Sequence, residues 1–126
     1  MSFSDTYETS VMKWTFTTDL VTRPTAWYVA LYTTNPGEAQ GGTEISGGSY
    51  ARQAVTFAVS GDTATNSAAI EFPTATASWG NITHIAVTDA SSGGTQIAYA
   101  ALTTAKTIDT GDILRIPAGD LDITLD

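Results

Sequence analysis

Cysteine is absent from the 126 residues, which excludes disulfide frameworks, zinc knuckles, thiol catalysis and Cys-ligated clusters while leaving the compartment open. Basic residues are scarce as well: five Lys and Arg stand against thirteen Asp and Glu, for a net charge of −8 and a pI near 4.2. The five cations are scattered from Lys13 to Arg115, so no positive stripe exists to neutralise phosphates or anionic lipid. Neither nucleic acid nor a membrane surface is an expected partner. No apolar run approaches the roughly 20 residues that a membrane helix needs. The start, Met1-Ser-Phe-Ser-Asp-Thr-Tyr-Glu, lacks the basic and apolar regions of a secretion signal, so the expectation is a soluble product made in a cytoplasm. Charged residues, at 14%, fall well below the usual ~25%. The length suits one domain, residues 1–126, able to bury roughly two thirds of its unfolded surface without a covalent staple.

Thr, Ser, Ala and Gly fill the space that charge leaves, and this favours β-branched, tightly turned structure over a helical enzyme. Only residues 1–20 read as helical. Ser4 or Asp5 can cap, Glu8 stands three after Asp5, and Tyr7, Val11 and Trp14 form one apolar stripe expected to dock on the body. Residues 25–126 read as strands. Ala26 to Tyr32 is apolar on both alternating faces, so it needs cover on both sides. Tyr50–Val59 and Thr63–Phe72 alternate with period two about a Gly61-Asp62 turn, predicting a hairpin with Val59 and Ala68 facing inward. Asn81–Asp89 places Ile82, His84 and Ala86 on one face. A turn at Ser91–Gly94, where Gly94 supplies a positive φ, leads to a strand over Gln96–Thr103. Three short strands follow, over residues 106–108, 113–116 and 121–125. Together these predict an antiparallel, jelly-roll-like β-sandwich with one amino-terminal helix.

Candidate chemistry is thin. His84 is the single imidazole, no G-x-S-x-G elbow is present, and the nearest carboxylate in sequence, Asp89, falls on the opposite strand face. A hydrogen-bonded strand histidine is therefore preferred over a catalytic one, and no enzyme is expected. Asp109 with Asp112, or Asp120 with Asp122, could lend oxygens to Ca²⁺, but neither pair matches an EF-hand, and solvated edge carboxylates are the simpler reading. No metal or other cofactor is assigned.

The residues best placed for recognition lie around the long stretch Asn35–Ser49, with Pro36, five glycines, Glu38 and Glu44. Loops of this length inside a compact domain are usually functional or disordered. Tyr50 and Arg52 at its exit could anchor a partner's carboxylate at a desolvated spot. The plainer alternative is that Glu38 and Glu44 keep the loop soluble while Arg52 pairs with Glu71 across the hairpin. Trp79, between a polar run and Gly80, is expected near a loop end with its ring exposed.

GGSYARQAVTF and FPTATASWGNITHIAVTDA, together with the S-D-x-x-E helix start and KTIDTGDILRIPAGDLDITL, resemble small virion proteins of tailed bacteriophages. Such proteins are usually labelled tail fibre proteins, and some look like head decoration or cement proteins. The resemblance covers nearly the whole chain and carries no catalytic signature. It implies a structural protein of the virion, synthesised in the bacterial host cytoplasm. The expected role is a capsid decoration protein cementing the head lattice through the major capsid protein or a neighbouring virion protein. The alternative is a tail or tail-fibre component in host attachment, with glycan binding as a route. Symmetric sites on a particle favour a homo-oligomer, with a trimer expected.

Overall fold

The computed structural model describes residues 1–125. In chain order the elements are β1 (Ser2–Phe3), α1 (Asp5–Phe16), β2 (Tyr28–Tyr32), β3 (Gln53–Ala54), β4 (Phe57–Ser60), β5 (Thr63–Asn66), β6 (Ile70–Glu71), β7 (Gly80–Thr88), β8 (Gln96–Ile108), β9 (Arg115–Ile116) and β10 (Asp122–Thr124). All pairing is antiparallel. A five-stranded sheet has the order β1-β8-β7-β2-β3, a three-stranded sheet β10-β5-β4, and β6 pairs with β9. The mainly β architecture with one helix near the amino terminus is the fold class read from the sequence.

One apolar cluster joins the three sheets, with Leu31, Phe72, Ile82, Val87, Ala98, Leu114 and Leu121 among its buried members. The strand β7 reaches this core through a bulge between Ile82 and His84. An extra residue in one strand shifts the alternation by one. Ile82 consequently shares the core with Ile85 and Val87, not the face of His84 and Ala86 assigned by strict period two. Thr83, at the bulge, donates its hydroxyl to the Thr33 carbonyl at 3.0 Å.

Two expected strands are divided. Tyr50–Val59 gives β3 to the large sheet and β4 to the three-stranded sheet, and Thr63–Phe72 is likewise split into β5 and β6. Only the tip is the predicted hairpin, with Ser60 opposite Thr63 across Gly61-Asp62. Ala68 and Val59 are exposed, the latter at 74%. Conversely, Gln96–Ile108 is one continuous strand instead of two. The turn before it behaves as expected: Gly94 has φ +70°, and a Cβ there would lie 2.5 Å from Asp89 Oδ1. Asn66, at the end of β5, clamps the carboxy-terminal segment. Its Nδ2 donates to the Ala68 and Pro117 carbonyls at 2.9 and 3.0 Å, and its Oδ1 accepts from the Gly119 and Leu121 amides at 3.1 and 2.9 Å.

The helix is capped as its sequence indicates but docked differently. Ser4 is buried, accepts from the Tyr7 amide, and donates its own amide and hydroxyl to the carbonyls of Ile97 and Gln96. Asp5 and Glu8 in the first turn and Lys13 in the last complement the helix dipole. At the far end the Thr17 amide and hydroxyl both donate to the Lys13 carbonyl. Of the expected docking stripe only Tyr7 is tied to the body, donating its hydroxyl to Asp89 at 3.0 Å, while Trp14 is 71% exposed. No residue of α1 is buried. β1 is antiparallel to β8, β8 to β7 and β7 to β2, so β1 ends where β2 begins. Residues 5–27 thus form an arm rooted at one end of the five-stranded sheet.

Candidate functional site

The residues following β2 lie against the edge that β3 leaves uncovered. Leu31 accepts from the Ile45 amide at 3.0 Å and donates its own amide to Tyr50 Oη at 3.0 Å, and the Thr33 amide donates to the Thr43 carbonyl at 3.0 Å. A single bridge pairs Tyr32 with Glu44. Further along, Gln96 Nε2 donates to the Gly37 carbonyl, and the Gln96 amide to Gln40 Oε1, both at 2.8 Å. Side chains from β8 and backbone from β2 therefore fix the Asn35–Ser49 segment in place. This also answers the doubly apolar strand. Val29 and Leu31 enter the main core, while Ala30 and Tyr32 join Ala86 and Tyr99 in a second small cluster, so both faces are covered within the chain.

Three of the five residues singled out from sequence converge. Arg52 Nε and Nη2 donate to Glu44 Oε2 and Oε1 at 2.8 and 2.7 Å, a two-pronged contact in which the arginine side chain is 9% exposed. Tyr50 Oη donates to the same Oε2 at 2.7 Å. Arg52 Nη1 continues to Thr88 Oγ1 and to the Ala90 and Gly93 carbonyls at 3.2, 2.9 and 2.8 Å. The pairing with Glu71 does not form; Glu71 instead sits 4.0 Å from Arg115 at the surface. Burial alone would push the Glu44 carboxyl up, but hydrogen bonds from Arg52 and Tyr50 and the guanidinium charge outweigh it and hold the group below its ordinary value. The Tyr50 phenol moves up, chiefly through burial and then through its bond to Glu44. These groups floor a polar cleft of about 360 Å³ whose opposite wall is Ser91, Ser92 and Gly93.

Trp79 supports that floor from beneath. It is 4% exposed, against the expected exposed ring, and its Nε1 donates to the Gly48 carbonyl at 2.8 Å. Its ring meets Tyr50 edge to face at 5.5 Å between centroids, and Tyr50 stacks on Phe72 at 6.2 Å. The indole is buried because Gly48, with φ +60°, turns a carbonyl toward it; an apolar ring with one polar atom is readily buried once that atom has a partner. No local sequence signal links Trp79 to Gly48.

Glu38 stands apart from the cleft. It joins Asp5 and Glu8 in an exposed trio whose carboxylate oxygens lie within 4.8 Å of one another, and repulsion from Glu8 and then Asp5 raises its pKa. Among the described residues this is the one grouping with metal-ligand spacing, and its position at the first turn of α1 explains the negative charge without an ion. The other acidic candidates make local bonds: Asp112 Oδ2 accepts from the Asp109 amide and Asp122 Oδ1 from Thr65 Oγ1. His84 Nδ1 lies 2.8 Å from Thr83 Oγ1, as a hydrogen-bonded strand histidine should.

Sequence reasoning missed a second surface. Phe3, Trp27, Phe57, Val59, Ala64 and Ile123 line an open apolar groove of about 320 Å³ between the five- and three-stranded sheets. On the arm, Met12, Trp14, Phe16 and Leu20 are exposed at 57, 71, 74 and 101%. The available signal was the spacing of Trp14 and Phe16. Residues two apart on a helix lie about 200° around it, so one docking face cannot bury both.

Residues 2–124 match the model of a protein family described as podophage GP4 fiber I protein gp80. Among curated proteins, none matches the chain.

Proposed function

The chain belongs to the family of the podophage GP4 fiber I protein gp80, and on that footing we propose that it is a building block of a virion fibre, repeated as a homotrimer. The observation that carries this reading is the extent of the match, which takes in the arm, the cleft and the groove together. The physical form suits such duty. Cation, phenol and carboxylate in the cleft are bonded to one another within the chain, so their geometry is held stiff instead of poised for proton transfer. His84 has a threonine hydroxyl, not a carboxylate, at Nδ1, which supports a structural role over a catalytic one. Serine and glycine on the cleft's far wall offer polar groups that a neighbouring virion protein can meet at the Tyr50 and Arg52 rim.

Cementing of the head lattice belongs to the same virion class, but the family's description speaks for a fibre. The deciding experiment labels intact virions with an antibody to this chain and images them. Label confined to tail-attached fibres is expected. Label spread over the capsid faces would replace the fibre reading with the cement one, and virions carrying no label would overturn both.

A further inference from the structure

The arm and the groove are both apolar, both open to solvent, and out of each other's reach within one copy. Phe3 and Trp27, which line the groove, are also the two roots of the arm. Between them α1 is a rod of 12 residues, about 18 Å long at the usual rise. A rod rooted at the groove cannot bend back to place its far end, Phe16, in it. A second copy has no such restriction.

We propose that the exposed arm of one copy, through Met12, Phe16 and Leu20, seats in the apolar groove of the next copy. Met12 and Phe16 are one helical turn apart and share a face with Lys13 and, nearer the root, Glu8, while Trp14 points to the other side, where it borders a recess with Val21 and Pro24. The two surfaces also complement each other in charge. Asp5 and Glu8 lie at the arm's root, and beyond that first turn residues 9–27 carry Lys13 and Arg23 against Asp19, an excess of one positive charge in a chain of net charge −8. The three-stranded sheet that forms the groove's outer wall, with its turns, carries Asp62, Asp120 and Asp122 and no Lys or Arg. Each copy owns one arm and one groove, so the contact is head to tail; such contacts close into a ring when the rotation permits. A copy in a ring buries both surfaces. One aromatic such as Phe16 removes roughly 150–250 Å² from water, and a stable interface needs roughly 800 Å² per partner, so using both surfaces matters.

The inference gives a geometry to the homotrimer proposed above but is tested without the virion, so a capsid location would leave it standing and a failed association would leave the fibre reading standing. Two variants are made at exposed positions: Met12→Ser with Phe16→Ser to disable the arm, and Val59→Arg to disable the groove. Circular dichroism confirms that each folds. Sedimentation should show the parent chain as a closed oligomer, weakened by salt, and each variant as a monomer with association reduced at least tenfold. An equimolar mixture at high concentration should form a one-to-one heterodimer and nothing larger, because one live arm meets one live groove, and this single contact should hold more weakly than the parent's closed oligomer. A parent chain that stays monomeric at every concentration, a Val59→Arg variant that assembles like the parent, or a mixture that forms no heterodimer would each overturn the assignment; the last two would point to arm packing on arm.

Discussion

Arg52 and Glu44, eight residues apart, meet edge to edge at 2.8 and 2.7 Å and tie the segment after β2 to the turn before β8. A guanidinium matches a carboxylate in this two-pronged way because both are planar and the spacing of donors equals that of acceptors. The pair closes a long loop with groups that a search for binding residues would select first.

Arg52→Ala should destabilise the fold by about 3 kcal/mol, since it leaves a half-buried carboxylate and two turn carbonyls without their donor. Arg52→Lys should recover less than half of that, because an ammonium cannot serve Glu44 and the Ala90 and Gly93 carbonyls together. Urea denaturation of the three proteins checks both figures.

Acid should remove the same stabilisation. The Glu44 carboxyl is held below its ordinary value in the folded chain, so its contribution is complete above the unfolded value and is lost as pH falls through the folded one. Glu44→Gln should flatten that part of the melting-temperature profile. Glu38, raised by Glu8 and Asp5, has the opposite sign: its ionisation adds repulsion as pH rises. Glu38→Gln should therefore leave stability unchanged or slightly higher near neutrality, with the difference shrinking in salt. A steeper acid limb in Glu44→Gln than in the parent would contradict the first expectation.

Gly47 and Gly48 both have positive φ, yet alanine should be tolerated very differently at the two. At Gly47 the added Cβ meets nothing within 4 Å, and the cost is the left-handed backbone alone, about 1 kcal/mol. At Gly48 it lies 2.9 Å from Trp79 Nε1 and 3.1 Å from the Ala77 carbonyl. Gly48→Ala should cost about 3 kcal/mol and perturb the tryptophan signal in near-ultraviolet circular dichroism. Equal losses for the two variants would mean that the indole does not rest on Gly48.

Asn66 uses both donors and both lone pairs of its amide. Asn66→Asp turns an acceptor toward the Ala68 or Pro117 carbonyl and should cost roughly 3 kcal/mol. Because that carboxyl is favoured in its protonated form, the loss should grow as pH rises. Hydrogen exchange at the Gly119 and Leu121 amides should accelerate first.

Period two marked a strand at 81–89, within one residue of β7, and the turns at Gly61-Asp62 and Gly94 were legible from residues that tolerate positive φ. The capped start of α1 was legible in Ser4, Asp5 and Glu8 for the same local reason. What escaped depends on distant partners. A bulge at Thr83 parts Ile82 from the face of His84 and Ala86, and alternation alone cannot reveal an inserted residue. The division of residues 53–60 between two sheets follows from where β2 and β5 lie, not from the segment's own pattern. Within the candidate site, Tyr50 and Arg52 were noticed for their chemistry, but their bonding to Glu44 requires the bridge at Tyr32 that folds the loop back. The exposed arm was misread because a single helical stripe was assumed where apolar residues occupy two sides.

Both roots of the arm pass directly into strands, Ser4 from β1 and Trp27 toward β2, at the same end of the five-stranded sheet. A tension drawn along the arm in the strand direction therefore loads the ladders beside β1 and β2 in shear, with neighbouring hydrogen bonds sharing the force together. Peeling, in which bonds rupture one after another, would need a sideways pull. A pull along the strands, shared by two roots at one end of the sheet, is the one these ladders resist best.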